Sequence, residues 1–81
     1  MMVSIKFLGM QRMLTKTDGI DMHITDKTKV NDALEYVRQH YPELPLEDWM
    51  VLITVNHEVA TADRILRDKD TISFLPLIAG G

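Results

Sequence analysis

Apolar and polar residues alternate from Val3 to Leu8, predicting a half-buried strand with Val3, Ile5 and Phe7 inward and Ser4, Lys6 and Leu8 outward. Gly9 breaks the pattern. Met10-Gln11-Arg12-Met13-Leu14 is too short for its periodicity to choose an element. Asp18-Gly19 is a strong turn signal. Alternation resumes from Ile20 to Thr25, placing Ile20, Met22 and Ile24 inward and Asp21 and His23 outward. Two such strands predict an antiparallel hairpin with a long connection.

After Thr28 the period lengthens. Val30, Ala33, Leu34, Val37 and Tyr41 form one face of an α-helix, with Asn31, Asp32, Glu35, Arg38 and Gln39 opposite. Thr28 is the predicted N-cap, its hydroxyl accepting from first-turn amides. Asp32 near the start and Arg38 and His40 near the end suit the helix dipole. Pro42 ends the helix, because a residue before proline avoids the α region. Residues 43–48 read as an irregular crossing, with Trp49 over the core edge. Met50 to Val55 is β-prone, with Val51, Ile53 and Val55 on one face and Leu52 and Thr54 on the other. Asn56-His57 predicts a turn, and residues 58–60 a short return strand. Ile65 and Leu66 are expected to plug the core. Asp68-Lys69-Asp70 predicts a second turn before a last strand from Thr71 to Leu75 that buries Ile72 and Phe74. The order is strand, strand, helix, strand, short strand, strand. It fits an α+β, β-grasp (ubiquitin-like) architecture, a mixed sheet packed on one main helix that crosses between two parallel strands. A ferredoxin-like fold needs a second full helix, which residues 61–67 are too short and polar to supply.

Composition narrows the function more than the fold. Eighty-one residues, 46% hydrophobic and 26% charged, suit one small folded domain. No apolar run approaches the roughly 20 residues needed to cross a bilayer, and no signal-peptide pattern opens the chain, so no membrane partner is expected. Cysteine is absent, excluding disulfides, thiolate metal sites and a cysteine nucleophile, and fitting a cytoplasmic setting. A net charge of −3 without a basic stripe argues against nucleic acid. Mild acidity suggests a basic docking surface on a partner.

Candidate chemistry gathers at the end, Leu77-Ile78-Ala79-Gly80-Gly81. Two glycines without side chains suit a channel too narrow for other residues. Pro76 fixes φ and lacks an amide donor, favouring departure from a sheet. We therefore divide the chain into a body, residues 1–76, and an extended tail, residues 77–81. Extended, the tail reaches about 17 Å at ~3.4 Å per residue, enough to enter a partner's active site. The reactive group would be the Gly81 carboxylate. Leu8, Leu52 and Leu75 share the outward phase of three strands and form a candidate docking patch beside the tail. Arg12 either braces a loop or meets a partner. Met10 and Met13 fill gaps or extend the docking surface. His23, His40 and His57 lack metal-ligand spacing. Asp63, Asp68 and Asp70 lack a calcium-loop pattern and read as a solvated turn, with Asp70 bonded to turn amides. No nucleophile, base and orienting group occur together, so an independent enzyme is not expected.

The element order and the Gly-Gly end together resemble the sulfur-carrier branch of the ubiquitin-like proteins, the MoaD/ThiS type, and within it the molybdopterin synthase small subunit (MoaD) family. Ile5-Lys6-Phe7-Leu8 with Gln11-Arg12 is similar to the family's opening strand and arginine-containing segment. Thr28 to Leu34, continuing to His40-Tyr41-Pro42, is similar to its helix and helix stop, and Val55-Asn56 to its strand-end asparagine. Residues 66–76, followed by Ile78-Ala79-Gly80-Gly81, are similar to its last turn, strand and tail. The family's turn commonly carries Gly-Asp where this chain has Lys69-Asp70, and its paired prolines appear here as Pro76-Leu77. The resemblance implies a carrier that binds no cofactor itself. An adenylating enzyme (MoeB/ThiF-like) would spend ATP to convert Gly81 to an acyl-adenylate, and a sulfur donor would displace AMP to leave a thiocarboxylate. The tail would then enter the larger subunit of molybdopterin synthase (MoaE-like), with Gly80 and Gly81 as functional residues and Pro76 to Ala79 as partner contacts. Alternatives are a thiamin-pathway carrier of the ThiS type, a modifier joined through Gly81 to lysines, and an interaction domain with an inert tail.

Overall fold

The computed structural model describes residues 1–47 and 50–77. Trp49, assigned above to the core edge, and residues 78–81 of the tail lie outside the described residues. In chain order the elements are β1 (Met2–Lys6), α1 (Met10–Thr15), β2 (Gly19–His23), α2 (Val30–His40), β3 (Val51–Val55), β4 (Glu58–Val59) and β5 (Thr71–Pro76). Five strands form one sheet in the order β2-β1-β5-β3-β4. Only the central pair β1–β5 is parallel. As expected, α2 crosses between two strands that run in the same direction, although they are not neighbours. It joins β2 to β3, which β1 and β5 separate in the sheet.

Alternation along the strands produces the core. Val3, Ile5, Phe7, Met22, Ile24, Val51, Val55, Ile72 and Phe74 are buried in one cluster with Val30, Ala33, Leu34 and Val37 of α2. Phe7 meets Tyr41 edge to face at 5.4 Å, seating the end of the helix against β1. Leu44 and Leu46 of the irregular crossing are also buried, closing the core below α2.

Two local expectations are corrected and one open segment is settled. The helix N-cap is Lys29, not Thr28. The Thr28 hydroxyl instead accepts from the Thr25 amide at 2.9 Å, while Asp32 accepts from the Lys29 amide at 2.8 Å. A threonine cap is not needed there, because the Val30 and Asn31 amides donate to the Arg64 and Ala62 carbonyls. That docking brings the loop against α2 and explains the second correction. Leu66 enters the core, with its amide held by the Thr28 carbonyl, but Ile65, paired with Lys29 in an isolated bridge, is exposed. The open segment, Met10-Gln11-Arg12-Met13-Leu14, forms a helix. It starts after Gly9 at φ 51° and is closed by Lys16, a left-handed residue whose amide donates to the Arg12 carbonyl.

Turn chemistry follows the predicted positions. Asn56 and His57 both have positive φ, the geometry of a tight hairpin turn between β3 and β4. Asp18-Gly19 does end the connection before β2, with Gly19 its first residue, held very close to β1. A Cβ built on Gly19 would stand 2.5 Å from the Ile5 carbonyl oxygen.

Candidate functional site

The tail departs from the end of β5, so the geometry there determines how it is presented. Pro76 does not leave the sheet as expected; it is the last residue of β5, opposite Val51. The Asn56 amide donates to the Thr71 carbonyl and the Leu77 amide to the Met50 carbonyl, each 2.8 Å. This phase makes Val51–Pro76 a non-hydrogen-bonded pair, so the missing proline donor faces away from β3. On that other side β1 has already ended, at Lys6. Proline is therefore accommodated without breaking a ladder bond. Leu77, 51% exposed, is held by its single amide bond to Met50.

Gln11 supports this exit. Its side chain is buried inside an otherwise apolar corner, where Nε2 donates to the Phe74 carbonyl at 2.8 Å and Oε1 accepts from the Leu8 amide at 3.0 Å. One amide side chain thus ties α1 to β5 two residues before Pro76. Sequence reasoning assigned Gln11 no role. The available signal was a single neutral amide among apolar residues in Met10 to Leu14.

Beside the exit lies an apolar groove of about 330 Å³, with Leu8, Leu14, Pro45, Met50 and Pro76 among its lining. The candidate leucine patch is partly assembled. Leu52 and Leu75 stand opposite each other on the outer face. Leu8 lies beyond the end of β1 and lines the groove instead. Met10 (69% exposed) and Met13 (77%) are not gap fillers; they extend the apolar surface around the exit.

Other candidates have structural roles. Arg12 approaches Asp18 at 4.0 Å with both side chains largely exposed, a loose brace across the ends of the α1 connection that contributes little. Asp70 is buried and fully used: one oxygen accepts from the Asn56 side-chain amide and the other from the Arg67 amide, both at 2.8 Å. Asp68 accepts from the Met2 amide. These carboxylates hold the turn before β5. Among the described residues no three His, Cys, Asp or Glu side chains are grouped to hold a metal. His40 bonds the Tyr36 carbonyl through Nδ1 and stacks on the Tyr36 ring, completing the helix end. No described helix is long and apolar enough to cross a membrane.

Likeness to known proteins falls on this same frame. The ThiS family profile matches residues 5–81. The molybdopterin synthase sulfur carrier subunit of Mycobacterium tuberculosis is 28% identical over 80 residues, covering 98% of this chain and 96% of that protein. The protein of the same name from Escherichia coli is 30% identical over 86 residues, covering 99% and 100%. Among solved structures, molybdopterin converting factor subunit 1 of Pyrococcus furiosus superposes with a TM-score of 0.83 at 22% identity, covering 95% and 98%. A chain from the complex of subunits 1 and 2 of the molybdopterin-converting factor of Helicobacter pylori gives 0.65 at 26% identity, with both chains fully covered. Parallel central strands, a single principal helix and a match through the Gly80-Gly81 end together place the chain: it belongs to the ThiS family of ubiquitin-like, β-grasp sulfur carriers.

Proposed function

We propose that this protein carries sulfur on the carboxyl group of Gly81 and delivers it as the small subunit of a molybdopterin synthase. What carries the reading is the nearly full-length likeness, running through Gly80-Gly81, to two proteins named as sulfur carrier subunits of that enzyme. The geometry at the β5 exit supports it: a strand end pinned by Gln11 and Met50 gives a fixed origin to a tail whose last residues lack side chains.

The chemistry follows from the carboxylate. Oxide is a poor leaving group, so Gly81 must first be activated. A carboxylate oxygen attacks the α-phosphorus of ATP on an adenylating partner, and pyrophosphate leaves. Hydrosulfide supplied by a donor then attacks the carbonyl carbon of the acyl-adenylate, AMP leaves with the bonding pair, and the thioacid loses its proton. The resulting thiocarboxylate holds its charge on polarizable sulfur and is nucleophilic at neutral pH. The carrier supplies the reagent, while its partners supply ATP binding and catalysis, so this role asks for no cofactor or active-site constellation on the carrier. The setting is cytoplasmic, where ATP and a reducing environment coexist. The partners are an adenylating enzyme and the larger synthase subunit, docking on Leu52, Leu75 and the groove lined by Leu8 and Pro76, with Leu77, Ile78 and Ala79 as tail contacts.

Deleting Gly81 tests the proposal. The truncated chain retains its far-UV circular dichroism and forms no ATP-dependent adenylate with the cognate activating enzyme. Normal adenylation of the truncated chain refutes the role. Leu75→Asp tests the docking surface separately: affinity for the activating enzyme or the large subunit falls while the circular dichroism stays native, and unchanged affinity removes Leu75 from the interface.

A further inference from the structure

The two margins of the sheet are unequal. At one, β4 has only two residues, Glu58 and Val59. At the other, β2 is five residues long and begins the strand order, with β1 as its sole partner in the sheet. Its hydrogen-bonding phase follows from the bonds at its ends: the Ile24 amide donates to the Met1 carbonyl and the Phe7 amide to the Asp18 carbonyl. In register with these, Ile20 and Met22 bond to Ile5 and Val3 of β1. The backbone amides and carbonyls of Asp21 and His23 therefore point away from β1, toward the open margin. No described residue is bonded to them. β2 contains no proline, lysine or bulge, and Asp21 is its one carboxylate, so little guards the edge against pairing.

We propose that β2 is a self-association edge, on which a second copy of this chain pairs antiparallel to form a continuous ten-stranded sheet about a two-fold axis at Met22. Parity selects this register. Within β2 the outward backbone groups of Gly19 are engaged by the Thr17 hydroxyl, which leaves those of Asp21 and His23, so these must meet each other or themselves. Pairing Asp21 with Asp21 sets two carboxylates face to face, and like charges directly opposite destabilise a ladder, while pairing His23 with His23 carries Asp21 opposite Thr25, beyond the end of β2. Centring on Met22 instead sets each Asp21 opposite the His23 of the other copy, twice by symmetry, with an acceptor facing an imidazole donor. Both side chains are exposed on the outer face, opposite Ser4 and Met2 of β1, and directly opposed residues share a face. The same register sets Met22 against Met22 and Ile20 against Ile24 on the inner side. An interface of one short strand pair is small, so the dimer is weak and forms at high concentration. β2 lies at the opposite side of the sheet from β3 and β4, with β1 and β5 between. Association therefore leaves the exit beside β3 open, and the inference stands apart from the proposed sulfur chemistry.

Sedimentation equilibrium on the full chain up to millimolar concentration tests it, with circular dichroism confirming the fold of each variant. The wild type shows a reversible monomer–dimer equilibrium. His23→Pro removes an outward amide together with the imidazole, leaves the β1 ladder bonds intact, and stays monomeric. His23→Asp opposes carboxylates in both symmetry-related pairs and weakens dimerisation at least about fivefold. The exchange D21H/H23D restores association to near the wild-type level. A wild type that is monomeric throughout overturns the proposal, as does a His23→Pro variant that dimerises like the wild type. Failure of D21H/H23D to recover association overturns the register.

Discussion

At the scale of single residues, Gln11 is the side chain that ties α1 to β5 near the tail exit. Replacing it by leucine leaves the Leu8 amide and the Phe74 carbonyl without their partner in a buried corner. Each lost partner costs about 1–3 kcal/mol when its group cannot reach water. Urea unfolding of Gln11→Leu is expected to lose at least about 1 kcal/mol, and an unchanged midpoint would show that these groups are not held as described. Gly19 is sensitive for a steric reason. A methyl group there collides with the Ile5 carbonyl oxygen, which belongs to the central hairpin and cannot step aside. Gly19→Ala should therefore destabilise by more than the ~0.5–1 kcal/mol that a Gly→Ala change returns at a compatible site, again read from the urea midpoint. Neither residue's role was legible in the sequence. Gln11 looked like one polar position in a short ambiguous run, and the distance from Gly19 to Ile5 exists only after the hairpin forms.

Elements were more readable, because burial of one face imposes its period on the residues. The alternation in β1 and β2, the Val30–Val37 face of α2 and the inward pair Ile72–Phe74 of β5 emerge as anticipated. Misreadings came from long-range contacts that override local signals. Thr28 is a good cap in isolation, but the loop carrying Ala62 and Arg64 satisfies the first-turn amides of α2 and displaces it. Ile65 and Leu66 are equally apolar, and only the bridge to Lys29 decides which of the two is exposed. The α1 segment was too short for periodicity to reveal, and it is held by Gly9, Lys16 and the tie from Gln11 to β5. Lys69 gives the element scale its own test. It sits at φ 71°, where a side chain costs roughly 1–2 kcal/mol, just where the resembling family commonly has glycine. Lys69→Gly should raise the thermal midpoint by a few degrees despite the added freedom of the unfolded chain. A lowered midpoint would mean that the lysine side chain contributes more than its backbone costs.

For the whole molecule, the proposed function makes the body a mount and puts the chemistry on the carboxyl group of Gly81. The core runs from α2 through β1 and β5, and β5 is the middle strand of the sheet, its end paired with β3 beyond the point where β1 stops. Leu77, the first residue past β5, is held there by the bond from its amide to the Met50 carbonyl. Gly80-Gly81 and the leucine phase were visible in the sequence, whereas the groove was not, since Leu8, Leu14, Pro45 and Met50 are far apart in the chain until the fold assembles them. The most direct test of the central claim is the mass of the intact protein after incubation with ATP, its adenylating enzyme and a sulfur donor, with tandem fragmentation to locate any change. The account predicts that one oxygen is exchanged for sulfur, with the whole difference on Gly81 and none when ATP is withheld. A protein that gains no sulfur under these conditions, or gains it at another residue, would contradict it.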